Sequence, residues 1–247
     1  MRILTIGDSW TYGSNSSDPY TKSWPAQMAA NYNVEVVNLA RPGSSNHRAA
    51  RICIEEICRD SNYDYIIFPL APASRTEILK TGKWYQIWPN ARTQEPLDRI
   101  YTEFWHPWND LQNTIMLCFY FIHSIKSFNI PLYITGLSLH PSQYKNELGW
   151  INNYSGDYEF NSLKMPLDDL NIGVKDLHRK LLALKAIHQQ NLLAHPEYLT
   201  DVIDTYLCDP EIEQKYKFQY KEFKGHPDDN GYLAIGDYFS QKIGITG

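Results

Sequence analysis

The stretch Gly7-Asp8-Ser9-Trp10-Thr11-Tyr12-Gly13 sets a serine directly after a short apolar run, Ile3-Leu4-Thr5-Ile6. That run is apolar, β-branched and bounded by glycine, which predicts a buried strand. In an open α/β sheet, ligands bind beyond the carboxyl ends of the strands. Ser9 is therefore placed as a candidate nucleophile on the rim of a sheet. Gly7 permits a sharp turn before it, and Gly13 can take a conformation closed to other residues. Cleaving an ester takes a nucleophile, a base for its proton and N–H donors for the developing oxyanion. His226, followed by Pro227, is the candidate base, because imidazole titrates near neutrality. The N–H groups of Ser9 and Gly43 are candidate oxyanion donors.

These residues need a scaffold that brings them to one rim. Residues 14–22 are rich in Ser, Asn, Asp and Pro and read as a surface loop. A helix begins at Ser23-Trp24-Pro25, where proline suits the first turn. Residues 34–39 alternate and are β-branched, predicting a second strand. The turn Ala40-Arg41-Pro42-Gly43-Ser44-Ser45-Asn46 follows, and Ser44 or Ser45 can cap a helix over residues 46–59. Residues 63–70 are nearly continuously apolar at their centre, as suits a parallel strand covered on both faces. That strand ends at Ala71-Pro72-Ala73-Ser74-Arg75.

From residue 76 to 108 the pattern breaks up around several tryptophans. A structureless loop of that length is unusual in a compact domain, so this stretch reads as an insertion with partial structure, a candidate lid. Asn109 caps a predicted helix reaching residue 128, and residues 130–137 form a fourth strand. A second aromatic-rich insertion spans residues 140–173. Helices are expected over residues 176–193 and 198–207. Residues 209–224 are charged and poorly periodic, and a closing helix runs from 232 to 243. Alternating strands and helices imply a parallel sheet between helical layers, in one domain over residues 1–247.

Composition narrows the function classes. The chain has 247 residues and a formal net charge of -5, with no dense basic block, which disfavours a nucleic-acid partner. No basic-then-apolar leader opens the sequence. The longest apolar stretch, residues 115–125, is far short of the roughly 20 residues that span a bilayer. A soluble chain without a membrane partner, made in the cytoplasm, is expected. Cys53, Cys58, Cys118 and Cys208 form no C-x-x-C pair, and Cys53 and Cys118 fall in apolar helical patterns as reduced thiols do. The eight histidines lack metal-ligand spacing, so neither a metal nor a cofactor is expected.

Gly7-Asp8-Ser9 near the start, Gly43 after the second strand and His226-Pro227 near the end resemble the SGNH (GDSL-type) hydrolases. The resemblance implies a three-layer α/β/α, flavodoxin-like parallel sheet. It also implies hydrolysis of an ester, often an acetyl group on a carbohydrate. The partner would be a small-molecule or polysaccharide ester, with the oligomeric state left open. The stretch at residues 40–46 is most similar to a branch from phage and bacterial surface-polysaccharide loci, which implies virion association as a second location.

Two departures stand out. That family has a Gly-x-Asn-Asp motif after its third strand, and this chain has Leu70-Ala71-Pro72-Ala73-Ser74-Arg75. Asn46, whose alternative role is a helix cap, or Ser74 would supply the missing donor. The family's aspartate three residues before its histidine is Phe223 here, with Glu222 adjacent as a candidate third acid. Without an acid, His226 would act in a dyad, held by a backbone carbonyl. Trp10, Ser74 and Arg75 are candidate substrate contacts. Plainer readings stand beside these. Asp8 is a turn acceptor, Arg75 an ion-pair partner, and Asp228 and Asp229 favour a helix N-terminus. The tryptophans either stack on sugar rings or anchor their loop. The competing function is a fold-retaining glycan-binding or virion structural protein with a weak or decayed site. Acyl transfer through the same serine is a third option.

Overall fold

A computed structural model describes residues 1–71, 75–87, 107–136, 206–219 and 225–245. Among these residues six strands are formed: β1 (Arg2–Thr5), β2 (Glu35–Asn38), β3 (Tyr65–Leu70), β4 (Thr76–Lys80), β5 (Lys83–Ile87) and β6 (Leu132–Gly136). Seven helices accompany them among the described residues: α1 (Ser9–Tyr12), α2 (Pro19–Lys22), α3 (Trp24–Tyr32), α4 (Asn46–Arg59), α5 (Pro107–Lys126), α6 (Pro210–Tyr216) and α7 (Asp229–Lys242).

Four strands make one parallel sheet in the order β2-β1-β3-β6. The register sets Thr5 beside Asn38 on one side and Ile67 on the other, so β1 is central and its carboxyl end is flanked by those of β2 and β3. Ile3, Leu4 and Ile6 are fully buried, as are Ile66, Ile67, Phe68 and Leu70. Side chains alternate along a strand, and both faces of β3 and β6 are covered. Phe68 meets Phe121 of α5 edge-on at 5.4 Å, while Tyr133 meets Phe239 of α7 at 5.8 Å. Trp24 of α3 packs on Phe239 at 4.5 Å. One helical layer therefore holds α3 and α7, and the other holds α5 with its neighbour α4. The α3–α7 crossing is close because position 236 is glycine. A Cβ there would stand 3.0 Å from the carbonyl oxygen of Trp24.

The expected three-layer α/β/α arrangement is present, with four differences in detail. Residues 14–22 are not all loop, because Asp18 caps α2 by accepting the Tyr20 N–H at 3.1 Å, with Pro19 at its first position. Residues 209–216 likewise form a helix, α6, capped by Asp209. The irregular segment after β3 begins as an antiparallel hairpin, with Leu79 opposite Trp84 and Glu77 opposite Gln86. Its two-residue loop, Thr81-Gly82, has positive φ at both positions, the geometry that matches strand twist in a tight hairpin. Finally, α5 starts at Pro107 and α7 at Asp229, earlier than the expected caps. The second expected insertion, the remainder of the first and the helix over residues 176–193 lie outside the described residues.

Candidate active site

The nucleophile turn is built by its own backbone. Gly7 leaves β1 at φ 151, where a Cβ would meet the side chain of Thr11 and the carbonyl oxygen of Pro69. Asp8 then caps α1, its Oδ1 accepting the Trp10 N–H at 3.0 Å. Gly13 ends the helix in the left-handed conformation at φ 95 and donates its N–H to the Ser9 carbonyl at 3.0 Å. Ser9 thus occupies the first residue of a one-turn helix and is buried.

His226 approaches from the other end of the chain. It lies just ahead of α7, which Asp228 caps by accepting the Gly231 N–H at 2.8 Å. Asp229 does more than favour the helix start. Its carboxylate accepts the Ser17 N–H at 2.8 Å and the Ser17 hydroxyl at 2.5 Å. Tyr232 donates its hydroxyl to the Ser14 carbonyl at 2.7 Å, and Gln27 donates to the Asp229 carbonyl at 2.9 Å. These bonds pin the start of α7 to the segment that follows the nucleophile. The result is a 2.7 Å contact between His226 Nε2 and Ser9 Oγ.

Desolvation lowers the pKa of His226 below its ordinary value, with the nearby Asp8 raising it and Arg75 lowering it. A neutral imidazole with its proton on Nδ1 can accept the Ser9 hydroxyl at Nε2. The Trp10 ring stands 6.2 Å from the imidazole, centroid to centroid. Among the described residues, no carboxylate hydrogen-bonds to His226 Nδ1. Glu222 and Phe223 lie outside the described residues.

The turn carrying Gly43 sits beside the nucleophile turn because β2 neighbours β1. The Arg41 N–H donates to the Gly7 carbonyl at 3.4 Å, and Asn38 Nδ2 donates to the Thr11 carbonyl at 3.0 Å. Among the described residues, no hydrogen bond engages the N–H of Ser9 or of Gly43, which leaves both free to donate. Ser45, not Asn46, caps α4 by accepting the Arg48 N–H at 3.1 Å. Asn46 instead clamps the end of β3. Its Oδ1 accepts the Ala71 N–H at 2.7 Å, and its Nδ2 donates to the Ala71 carbonyl at 2.9 Å. Only its second amide hydrogen is left for any oxyanion.

Arg75 pairs with Asp8, Nη1 to Oδ2 at 2.7 Å, which is the arrangement of the ion-pair reading. Asp8 is a turn acceptor as well. Ser74 lies outside the described residues. Sequence reasoning overlooked Gln86, whose Oε1 accepts the N–H of Ser45 at 2.8 Å. The hairpin that carries it was signalled by two five-residue runs, one rich in β-branched and one in aromatic residues, separated by Thr-Gly.

No protein-family model matches the sequence, and neither does any curated protein. Solved structures are similar in fold. The psychrotrophic esterase EstA from Pseudoalteromonas sp., in a structure inhibited by monoethylphosphonate, superposes with a TM-score of 0.51 at 9% identity, covering 98% of this chain and 96% of its own. A member of the lipolytic protein G-D-S-L family from Veillonella parvula DSM 2008 gives a TM-score of 0.45 at 18% identity, over 99% of this chain and 98% of its own. A parallel sheet in the order β2-β1-β3-β6, flanked by helices and carrying Ser9 at the carboxyl end of β1, is the α/β fold that this chain shares with that esterase.

Proposed function

We propose that the protein is a serine ester hydrolase with Ser9 as nucleophile and His226 as general base. The observation that carries this reading is the 2.7 Å contact between Ser9 Oγ and His226 Nε2. His226 takes the hydroxyl proton as Oγ attacks the ester carbonyl carbon. The N–H groups of Ser9 and Gly43 stabilise the oxyanion. The tetrahedral intermediate collapses, the alcohol leaves with the proton from His226, and the acyl group stays on Ser9. Water, deprotonated by the same imidazole, then releases the acid and restores the serine. Burial of His226 supports the role, because desolvation keeps the ring neutral and able to accept a proton.

The substrate we assign is an O-acetyl or similar short acyl ester on a carbohydrate. Support comes from the hairpin beside the donor turn, where Trp84 is 46% exposed and, beyond the face that Arg51 covers, offers aromatic surface of the kind sugar rings stack on.

Two measurements test the reading. Wild-type protein is expected to turn over a small activated acetate ester and to be labelled by a fluorophosphonate at Ser9, located by peptide mass spectrometry. Ser9→Ala is expected to lose both. A wild type that takes no label and hydrolyses no ester sinks the reading in favour of a non-catalytic binding protein. Acetate release from acetylated polysaccharides, compared with simple alkyl esters, tests the carbohydrate assignment.

A further inference from the structure

The hairpin β4–β5 is joined to both halves of the site by side chains that the reaction itself does not use. At its base, Arg75 Nη1 reaches Asp8 Oδ2 at 2.7 Å, and the Asp8 side chain is only 3% exposed. Asp8 holds the first turn of α1 through the Trp10 N–H. On the second strand, Gln86 Oε1 accepts the buried Ser45 N–H at 2.8 Å, two residues beyond Gly43.

The orientation of Gln86 is itself fixed. Its Nε2 donates to Glu77 Oε2 at 3.1 Å, so its oxygen must face Ser45. Glu77 is in turn held by Arg51 of α4, Nε to Oε1 at 2.9 Å and Nη2 to Oε2 at 3.1 Å. This two-pronged pairing gives both energy and direction. The Arg51 guanidinium also lies 4.4 Å from the centroid of the Trp84 ring. A hairpin that merely covered α4 would need Glu77 and Trp84 on Arg51. It would not need Arg75 on the nucleophile turn and Gln86 on the donor turn.

We propose that the β4–β5 hairpin is a brace for the site. Arg75 fixes the nucleophile turn through Asp8, and Gln86 fixes the donor turn through the Ser45 N–H. Both are positioning residues. The assignment rests on the ester-hydrolase reading for its kinetic readout alone. Misplacing a reacting group by about 1 Å can cost on the order of 10²-fold in rate, so small shifts of either turn matter. Asp8 and Arg75 are the charged groups that act on His226 among the described residues, and their opposed charges offset each other there.

The experiment compares wild type with Arg75→Gln, Arg75→Lys and Gln86→Leu. Three quantities are read: the His226 titration midpoint by ring NMR, hydrogen exchange of the Ser45 amide, and kcat against KM on an activated acetate ester. In Arg75→Gln the His226 midpoint is expected to rise, because a nearby cation that lowers it is removed. Its kcat is expected to fall by on the order of 10- to 100-fold with little change in KM. Arg75→Lys keeps the midpoint near that of wild type and recovers part of kcat. Gln86→Leu speeds Ser45 exchange by on the order of 10-fold and lowers kcat.

Variants that unfold at the wild-type temperature yet leave the His226 midpoint and Ser45 exchange unchanged overturn the brace. Should Arg75→Gln not fold, wild-type kcat and KM in Arg75→Lys overturn the Arg75 half, because a single ammonium cannot reproduce the geometry of the guanidinium. A wild type that neither takes fluorophosphonate nor cleaves ester sinks the hydrolase reading instead. The NMR midpoint and amide exchange still judge the brace in that case.

Discussion

Ser9 and His226 stand 217 positions apart in sequence, and their side chains meet at 2.7 Å, Oγ to Nε2. The contact follows from two neighbouring elements. β1 delivers Ser9 at its carboxyl end, and α7 packs on α3 with its N-terminus tied to residues 14 and 17.

If the two side chains act as a unit, their removal will not be additive. His226→Gln is expected to lower ester turnover by about 10²–10⁴-fold, the usual worth of general-base catalysis. The double variant Ser9→Ala/His226→Gln should be no slower than the worse of the two single variants. Steady-state rates on one activated ester decide this. A double variant losing the product of the two single losses would separate their roles.

The pH profile should have its acid limb below the ordinary imidazole value. Only neutral His226 can accept the serine proton, so activity rises as pH passes upward through its pKa. Burial depresses that pKa. The dependence of kcat/KM on pH reports it in the free enzyme. A limb above about 6.5, the unperturbed imidazole value, would contradict the environment described for His226.

Gly7→Ala is expected to destabilise the fold by about 1–3 kcal/mol, the range for a residue forced into a disfavoured backbone region. Position 7 has φ 151, and the added Cβ would stand 3.2 Å from the carbonyl oxygen of Pro69 and 3.0 Å from Thr11 Cβ. Denaturant midpoints compared at unchanged slope measure the effect. Unchanged stability would mean that the turn at the end of β1 relaxes freely.

Asn46→Ala should cost stability as well. It orphans the buried N–H and carbonyl of Ala71, at roughly 1–3 kcal/mol for each buried polar group left unpaired. Because the clamp holds the end of β3 against the donor turn, a loss of ester turnover is expected to accompany it. Wild-type unfolding in this variant would show that Ala71 finds other partners.

Much of the scaffold was legible because local chemistry and long-range packing agree. The helix expected over residues 46–59 is the one observed, with Ser45 as its cap. The run at 63–70 read as a strand covered on both faces, and its residues from Ile66 to Leu70 are all buried. Where reading failed, the signals were short. Asp18-Pro19 and Asp209-Pro210 each start a helix of four and seven residues, too brief for periodicity to register. Thr81-Gly82 is a less familiar hairpin loop than Asn-Gly, so the flanking strands passed for irregular chain.

By itself the sequence determined the four strands of the parallel sheet and the longer helices between them, the turns that end at Ser9 and Gly43, and the identity of a serine, a glycine and a histidine able to do acyl chemistry. These are properties of residue type and spacing, which local sterics and hydrophobic periodicity decide. Only the tertiary structure decided that His226 reaches Ser9, that Arg75 pairs with Asp8, that Asn46 holds Ala71 and that Gln86 holds Ser45. Each of those partners lies tens to hundreds of residues away. Choosing among the chemically equivalent donors and acceptors of a chain this long requires the register of the sheet and the docking of helices and hairpin around it.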